Sequence, residues 1–219
     1  MTAKRRTQAE RSSATRQALL EAARAIISEH GYSGTTTAMT AQRAGVSRGA
    51  QLHHYATRQD LLLAAIDYIH GRVEADVEEI SQRIDGRADE DVRRFICDLW
   101  DRVFAEENFN PNIELVTAAR TNSELRSRLQ KRWRKLAEAY DRVWQETLQR
   151  SGHCSPQASA LLQMTLNFLR GMAMQRIAMG NNPGYFQEQL DQWTGIVKMV
   201  LNDTAAGPGD GGPAGDGYG

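Results

Sequence analysis

The sequence predicts an all-helical protein, with three short N-terminal helices around a tight turn and a larger helical region behind them. Three observations predict it. Apolar residues recur at helical period over most of the chain, sustained apolar/polar alternation is absent, and Gly, Pro, Ser and Thr fall between the periodic stretches. With 219 residues, 41% of them hydrophobic and 25% charged, the chain is large enough to bury a sizeable core. No apolar run approaches the ~18 residues of a membrane span, and no apolar segment and cleavage site follow the basic N-terminus. A cytoplasmic protein is therefore expected. Cys97 and Cys154 share no metal-ligand spacing and read as reduced thiols, with a disulfide as the alternative.

Element by element, a first helix is expected near 12–30, with Leu19, Ala22, Ala23, Ile26 and Ile27 on one face and Gly31 as its C-cap. Thr35 and Thr36 offer N-caps for a short helix at about 36–43, which Gly45 ends. Ser47 caps a third at about 48–54, and Thr57 a fourth running from 58 into the low 80s, where Asp85-Gly86 breaks it. A fifth spans roughly 89–106. Asn108 to Asn112, containing Pro111, is expected to interrupt the chain before a short helix at about 113–119. A long helix at about 122–150 follows. Ser155-Pro156 opens another, reaching about 179, and after a turn at Asn181 to Gly184 the last covers about 185–202. Residues 205–219, rich in Gly, Pro and Asp, lack the apolar surface to offset ordering entropy and are expected to be disordered.

Net charge is zero, but its distribution is not uniform. The first 60 residues carry a net +5 and the remainder −5. A chain so polarised steers its basic end toward phosphates. The short Ala44-Gly45-Val46-Ser47 turn forces its two flanking helices to cross steeply, so that the second projects, and a projecting helix with a basic first turn fits a DNA major groove. Arg48 would face outward with His53 a turn later, while Tyr55 packs inward against Ala44 and Val46. Arg48 suits guanine O6 and N7 or a phosphate, and Gly49 and Ala50 permit close approach. His53 and His54 can donate to phosphate or base acceptors. Thr36 and Arg58, at helix starts, would flank the groove as phosphate contacts. A Lys4-Arg5-Arg6 arm, with Arg11, precedes them, either as a solubilising tail or folded onto the minor groove or the phosphates.

These residues resemble the N-terminal domain of the TetR family of bacterial transcriptional regulators. Ala22-Ala23, Gly31-Tyr32, Thr35-Thr36, Ala41, Ala44-Gly45-Val46-Ser47, Gly49-Ala50, His53-His54-Tyr55, Arg58 and Leu61-Leu62 carry the resemblance. It covers about 50 residues without a gap. The chain departs where Thr40 replaces the family's usual Ile, and where Gln51-Leu52 replace its Leu-Tyr. Leu52 cannot make the hydrogen bond that the tyrosine commonly gives a phosphate, and Gln51 either finds a backbone partner inward or turns toward DNA.

The resemblance implies a helical C-terminal domain that binds a small molecule and dimerises through the last two long helices. The expected division is a basic arm at 1–11, a helix-turn-helix domain at 12–57, an effector-binding and dimerisation domain at 58–204, and the tail. Trp100, Phe104, Leu115, Trp144, Met164, Phe168 and Met172 are candidates to line an apolar effector pocket. Leu161, Thr165, Leu169, Leu190, Trp193 and Val197 are candidates for the dimer interface. The run Arg126 to Lys135 places six bases in ten residues, as a solvated face or toward an anionic effector or an acidic neighbouring subunit. No metal or cofactor motif and no catalytic grouping is found. The expected function is a ligand-released repressor binding a near-palindromic operator as a homodimer. An activator, or a helical protein-interaction module, is the alternative.

Overall fold

A computed structural model of the chain describes residues 7–84, 88–152 and 157–205. The Lys4-Arg5-Arg6 arm, Asp85-Gly86, Cys154, Ser155-Pro156 and the tail from 206 lie outside the described residues. Among those described there are nine α-helices and one π-helical turn, with no strand: α1 (Gln8–Gly34), α2 (Thr37–Arg43), α3 (Arg48–His54), α4 (Arg58–Ser81), α5 (Ala88–Asp98), the π-helical Leu99–Val103, α6 (Glu106–Ala118), α7 (Ser123–Arg150), α8 (Ala158–Met179) and α9 (Pro183–Ala205).

The helix starts follow the capping chemistry that local sequence supplies. Thr7 caps α1, and with Glu10 it closes a capping box, so Arg11 belongs to the helix and not to an arm. Thr36, Ser47 and Thr57 cap α2, α3 and α4, each hydroxyl accepting from a backbone N–H three residues on. Gly31 breaks α1 as expected, at φ 72°. A last irregular turn then carries Tyr32 into the core.

Two segments depart from expectation. The fifth helix does not run unbroken to 106 but passes into the π-helical turn, closed by the Phe104 N–H donating to Leu99 O at 3.0 Å. Pro111, expected to break the chain, sits inside α6. Its missing N–H leaves the carbonyl of Glu107 without its helical donor. Arg24 of α1 supplies one, its Nη1 donating to Glu107 O at 2.5 Å. A tertiary hydrogen bond thus replaces the one that proline removes.

The chain divides into two compact units, residues 1–82 with 98–140, and residues 83–97 with 141–219. In the first, Leu19, Ile27, Tyr55, Leu61, Leu62, Ile66, Leu115 and Leu129 share one buried cluster. Each such aliphatic side chain contributes about 1.5–3 kcal/mol on burial. The three N-terminal helices therefore do not close a core of their own, and α4, α6 and α7 complete it. In the second unit, Phe95 packs on Trp144 at 5.0 Å, and the indole N–H of Trp144 donates to Ala158 O at 2.7 Å. Helices α8 and α9 are joined there by Trp193, whose Nε1 donates to Thr165 Oγ1 at 3.1 Å.

Candidate nucleic-acid interface

The turn between α2 and α3 is built from four residues. Ala44 ends α2, Gly45 takes φ 65°, and the Val46 N–H returns to Ala41 O at 3.0 Å. A side chain at Gly45 would meet nothing within 4 Å, so the glycine serves the backbone angle and not space. Ser47 then accepts from Ala50 N at 3.1 Å and starts α3.

Helix α3 has two sharply different faces. Tyr55 is buried in the core with Ala44 and Val46 packed against it, as the spacing predicts. Gln51 is buried as well, 1% exposed, and its Nε2 donates to Tyr55 O at 2.7 Å. That bond withdraws Gln51 from the expected DNA-contacting set: the side chain satisfies a carbonyl at the end of its own helix. Arg48, Gly49, Leu52 and His53 are exposed, and Ala50 and His54 are half-buried at the edges. Leu52 is 47% exposed, an apolar group amid a polar face. The His53 and His54 rings meet edge to face at 5.4 Å. Burial, together with the charges of His53 and Arg16, holds the His54 imidazole below the usual histidine range, favouring its neutral form.

Arg58 does not lie ready for a phosphate. Its Nε donates to Thr35 O at 2.6 Å, its Nη2 donates to the carbonyl of Tyr32, and the guanidinium stands 5.2 Å from the centre of the Tyr32 ring. The residue ties the start of α4 to the end of α1, because the break at Gly31 leaves carbonyls there without helical donors. Thr36 stays exposed at the start of α2, its oxygen accepting from Met39 N at 3.2 Å while its own O–H remains available to a ligand.

One neighbour escaped the sequence reading. Arg16 of α1 is exposed and close enough to His54 and Tyr55 to bear on their protonation. Its signal in the sequence was only a basic residue on the polar side of the first helix. Arg43 is held to Glu29 by a 2.5 Å ion pair that fixes α2 against α1.

The effector-pocket candidates fall in both units. Trp100, Phe104 and Leu115 are buried in the first, and Trp144 and Met172 in the second. Phe168 stacks on Trp193 at 4.8 Å, and Met164 is 55% exposed. Of the dimer candidates, Leu161, Thr165, Leu169, Leu190 and Val197 are buried within their own unit, and Trp193 is half-buried. Trp193 and Thr165 bond α8 to α9 within the chain. The apolar residues left exposed on α8 and α9 are instead Met164, Met174, Ile177, Met179, Ile196 and Met199.

Among the described residues no group of His, Cys, Asp and Glu is placed to hold a metal, and no helix is long and apolar enough to cross a membrane. The model of bacterial regulatory proteins of the tetR family matches residues 19–65, from the first helix into α4. The HTH-type transcriptional regulator CymR of Pseudomonas putida is 31% identical over 182 residues, 81% of this chain and 86% of that one. The HTH-type transcriptional repressor AcnR of Corynebacterium diphtheriae is 27% identical over 138 residues, 63% of this chain and 65% of the repressor. A solved transcriptional regulator from Rhodococcus sp. Rha1 shares the fold with a TM-score of 0.68 at 21% identity, covering 85% of this chain and 97% of its own. With a helix-turn-helix of this geometry and a relative this similar along most of its length, the chain belongs to the TetR family of bacterial transcriptional regulators.

Proposed function

We propose that this regulator is a cytoplasmic repressor that binds a near-palindromic operator as a homodimer and is released by a small, largely apolar effector. The observation that carries the reading is the outer face of α3, where Arg48, Gly49, Leu52 and His53 are exposed while Gln51 and Tyr55 anchor the opposite face. Arg48 reads guanine or grips a phosphate, Gly49 and Ala50 let the helix sink into the groove, and Thr36, His53 and His54 bond to phosphate or base edges. Gln51 and Arg58 position the reader without touching DNA.

Dimerisation uses the exposed apolar groups of α8 and α9, Met164, Ile177, Ile196 and Met199 among them. Two-fold symmetry then sets the recognition helices about one DNA turn (~34 Å) or more apart. The effector acts by binding the released state more tightly than the DNA-bound one, and a tenfold change in operator affinity requires about 1.4 kcal/mol of coupling. The region beyond α4, rich in buried aromatic side chains, supports an apolar effector.

Selection of bound fragments from genomic DNA by the purified protein tests this reading. A near-palindromic site recovered by the wild type and lost with Arg48→Ala is the expected result. No enriched sequence, with the variant indistinguishable, would transfer the chain to the interaction-module alternative.

A further inference from the structure

Helix α7 carries two basic clefts within the first unit, and they differ in how their charge is met. One, of about 360 Å³, is lined by Arg128, Lys131, Arg132 and Lys135. Carboxylates of α4 already answer it: Asp67 pairs with Arg128, and Glu74 lies 2.9 Å from Arg132. The other, of about 570 Å³, lies between the end of α6 and the start of α7. Its apolar lining includes Val116, Leu129 and Trp133, and its basic lining is Arg120, Arg126 and Arg134, with no acidic residue among the residues around it. Arg126 spends its donors on the carbonyls of Ala119, at 3.1 Å, and Arg120, at 2.6 Å. The side chains of Arg120 and Arg134 are exposed and make no ion pair among the described residues.

Apolar surface left open to water beside unanswered guanidinium groups has a definite chemical complement. The apolar wall gains from covering it, Arg recognises carboxylate and related oxyanions through paired N–H donors, and the volume lies within the range of small-molecule sites. We infer that the α6–α7 cleft is a binding site for an amphipathic organic anion, with its acidic head at Arg120 and Arg134 and its apolar body against Val116 and Trp133.

The site has a route to the reader helices inside the same unit. Ala119 and Leu129 of the cleft belong to the cluster that contains Tyr55 and Leu61, and Trp133 packs against that cluster. Helix α6 is also bonded to α1 by Arg24. An occupant therefore bears on the core that seats α3. The site itself does not depend on the proposed operator or dimer.

Calorimetric titration of the full chain with decanoate below its micellar concentration tests the proposal, with decanol as the neutral match. Saturable binding of decanoate is expected, at least tenfold weaker in the double variant Arg120→Glu with Arg134→Glu, and unchanged in Lys131→Glu with Lys135→Glu in the other cleft. Arg120→Gln with Arg134→Gln gives the same loss without introducing negative charge, and thermal unfolding verifies that each variant is folded. Absence of saturable decanoate binding, equal binding by decanol, or full binding in both the Glu and Gln variants would overturn the proposal. Operator binding, measured separately, leaves the two readings distinguishable.

Discussion

At the scale of single residues, Arg48 and Arg58 look alike in the sequence and do different work. The Arg58 guanidinium is spent on backbone carbonyls at the end of α1. Replacing it with Ala strands those acceptors, so Arg58→Ala should lower unfolding stability by about 2–3 kcal/mol in urea titration. Arg48→Ala, at an exposed position, should change stability by less than about 0.5 kcal/mol while weakening DNA binding. Equal stability losses would remove the distinction. The Leu52 side chain has no polar atom, so on the proposed DNA-facing side it would make an apolar contact, and the thymine C5-methyl is the apolar group in the major groove. Replacing thymine by deoxyuridine at successive operator positions should weaken the wild type at one position of each half-site and leave Leu52→Ala unaffected there. A methyl-independent profile in the wild type would reject that role.

Histidine chemistry also belongs to this scale. His70 of α4 is 2% exposed; Nδ1 bonds to Ile66 O at 3.0 Å and Nε2 is buried without a partner. Burial, chiefly, lowers its affinity for a proton, with Arg132 adding to the effect, and it outweighs the backbone bond and the carboxylates of Glu74 and Asp67. The unfolded chain therefore takes up that proton more readily than the folded one. Stability is expected to fall as pH drops through the ordinary histidine range near about 6.5 and to be insensitive to this group above it. The slope of urea-unfolding stability between about pH 7.5 and 5.5 should be shallower in His70→Leu. An unchanged slope would show that other groups carry it.

At the scale of elements, the helices that sequence places best are those whose ends are set locally. Helices α2, α3 and α4 start beside Thr36, Ser47 and Thr57 because a hydroxyl next to orphan N–H groups acts over three residues, whatever the rest of the chain does. Helix α6 is the opposite case. Pro111 signals a break, and the helix persists because Arg24, distant in sequence, answers the carbonyl that proline orphans. This makes a sharp prediction. Arg24→Ala should cost about 1–3 kcal/mol in a wild-type background and much less in Pro111→Ala, where the helix recovers its own N–H donor. An additive double-mutant cycle would break the link. The π-helical Leu99–Val103 was illegible for a related reason, since an extra residue per turn leaves the apolar period nearly intact.

For the whole molecule, the core of the reader runs on into the helices behind it. Tyr55, at the end of α3, shares its core with Leu115 of α6 and Leu125 of α7, so packing is continuous across residue 57. The apolar residues on α8 and α9 divide into a buried and an exposed set, and the periodicity that located them could not sort them. Leu161, Leu169 and Val197 are buried, while Ile177 and Ile196 stay exposed, and these are the groups proposed to meet a second copy. Ile177→Glu with Ile196→Glu should yield a folded monomer by light scattering with operator affinity reduced at least tenfold, about 1.4 kcal/mol or more. Retention of the dimer would place the interface elsewhere.

The amino-acid sequence by itself determined what is local. It specified helices throughout, the caps and glycine of the reader turn, the basic start of α3, the excess of positive charge in the first 60 residues, and hence a DNA-reading family. Each depends on neighbours within a few positions, or on composition alone. Tertiary structure decided what depends on distant partners. It spent Arg58 on carbonyls, carried α6 across Pro111, and hid one apolar face of α8 and α9 while exposing another. The physical reason is the same in each case. A side chain's role follows from which donor, acceptor or apolar surface reaches it first, and for these residues that group comes from a distant turn of the chain or from the packing of one helix on another.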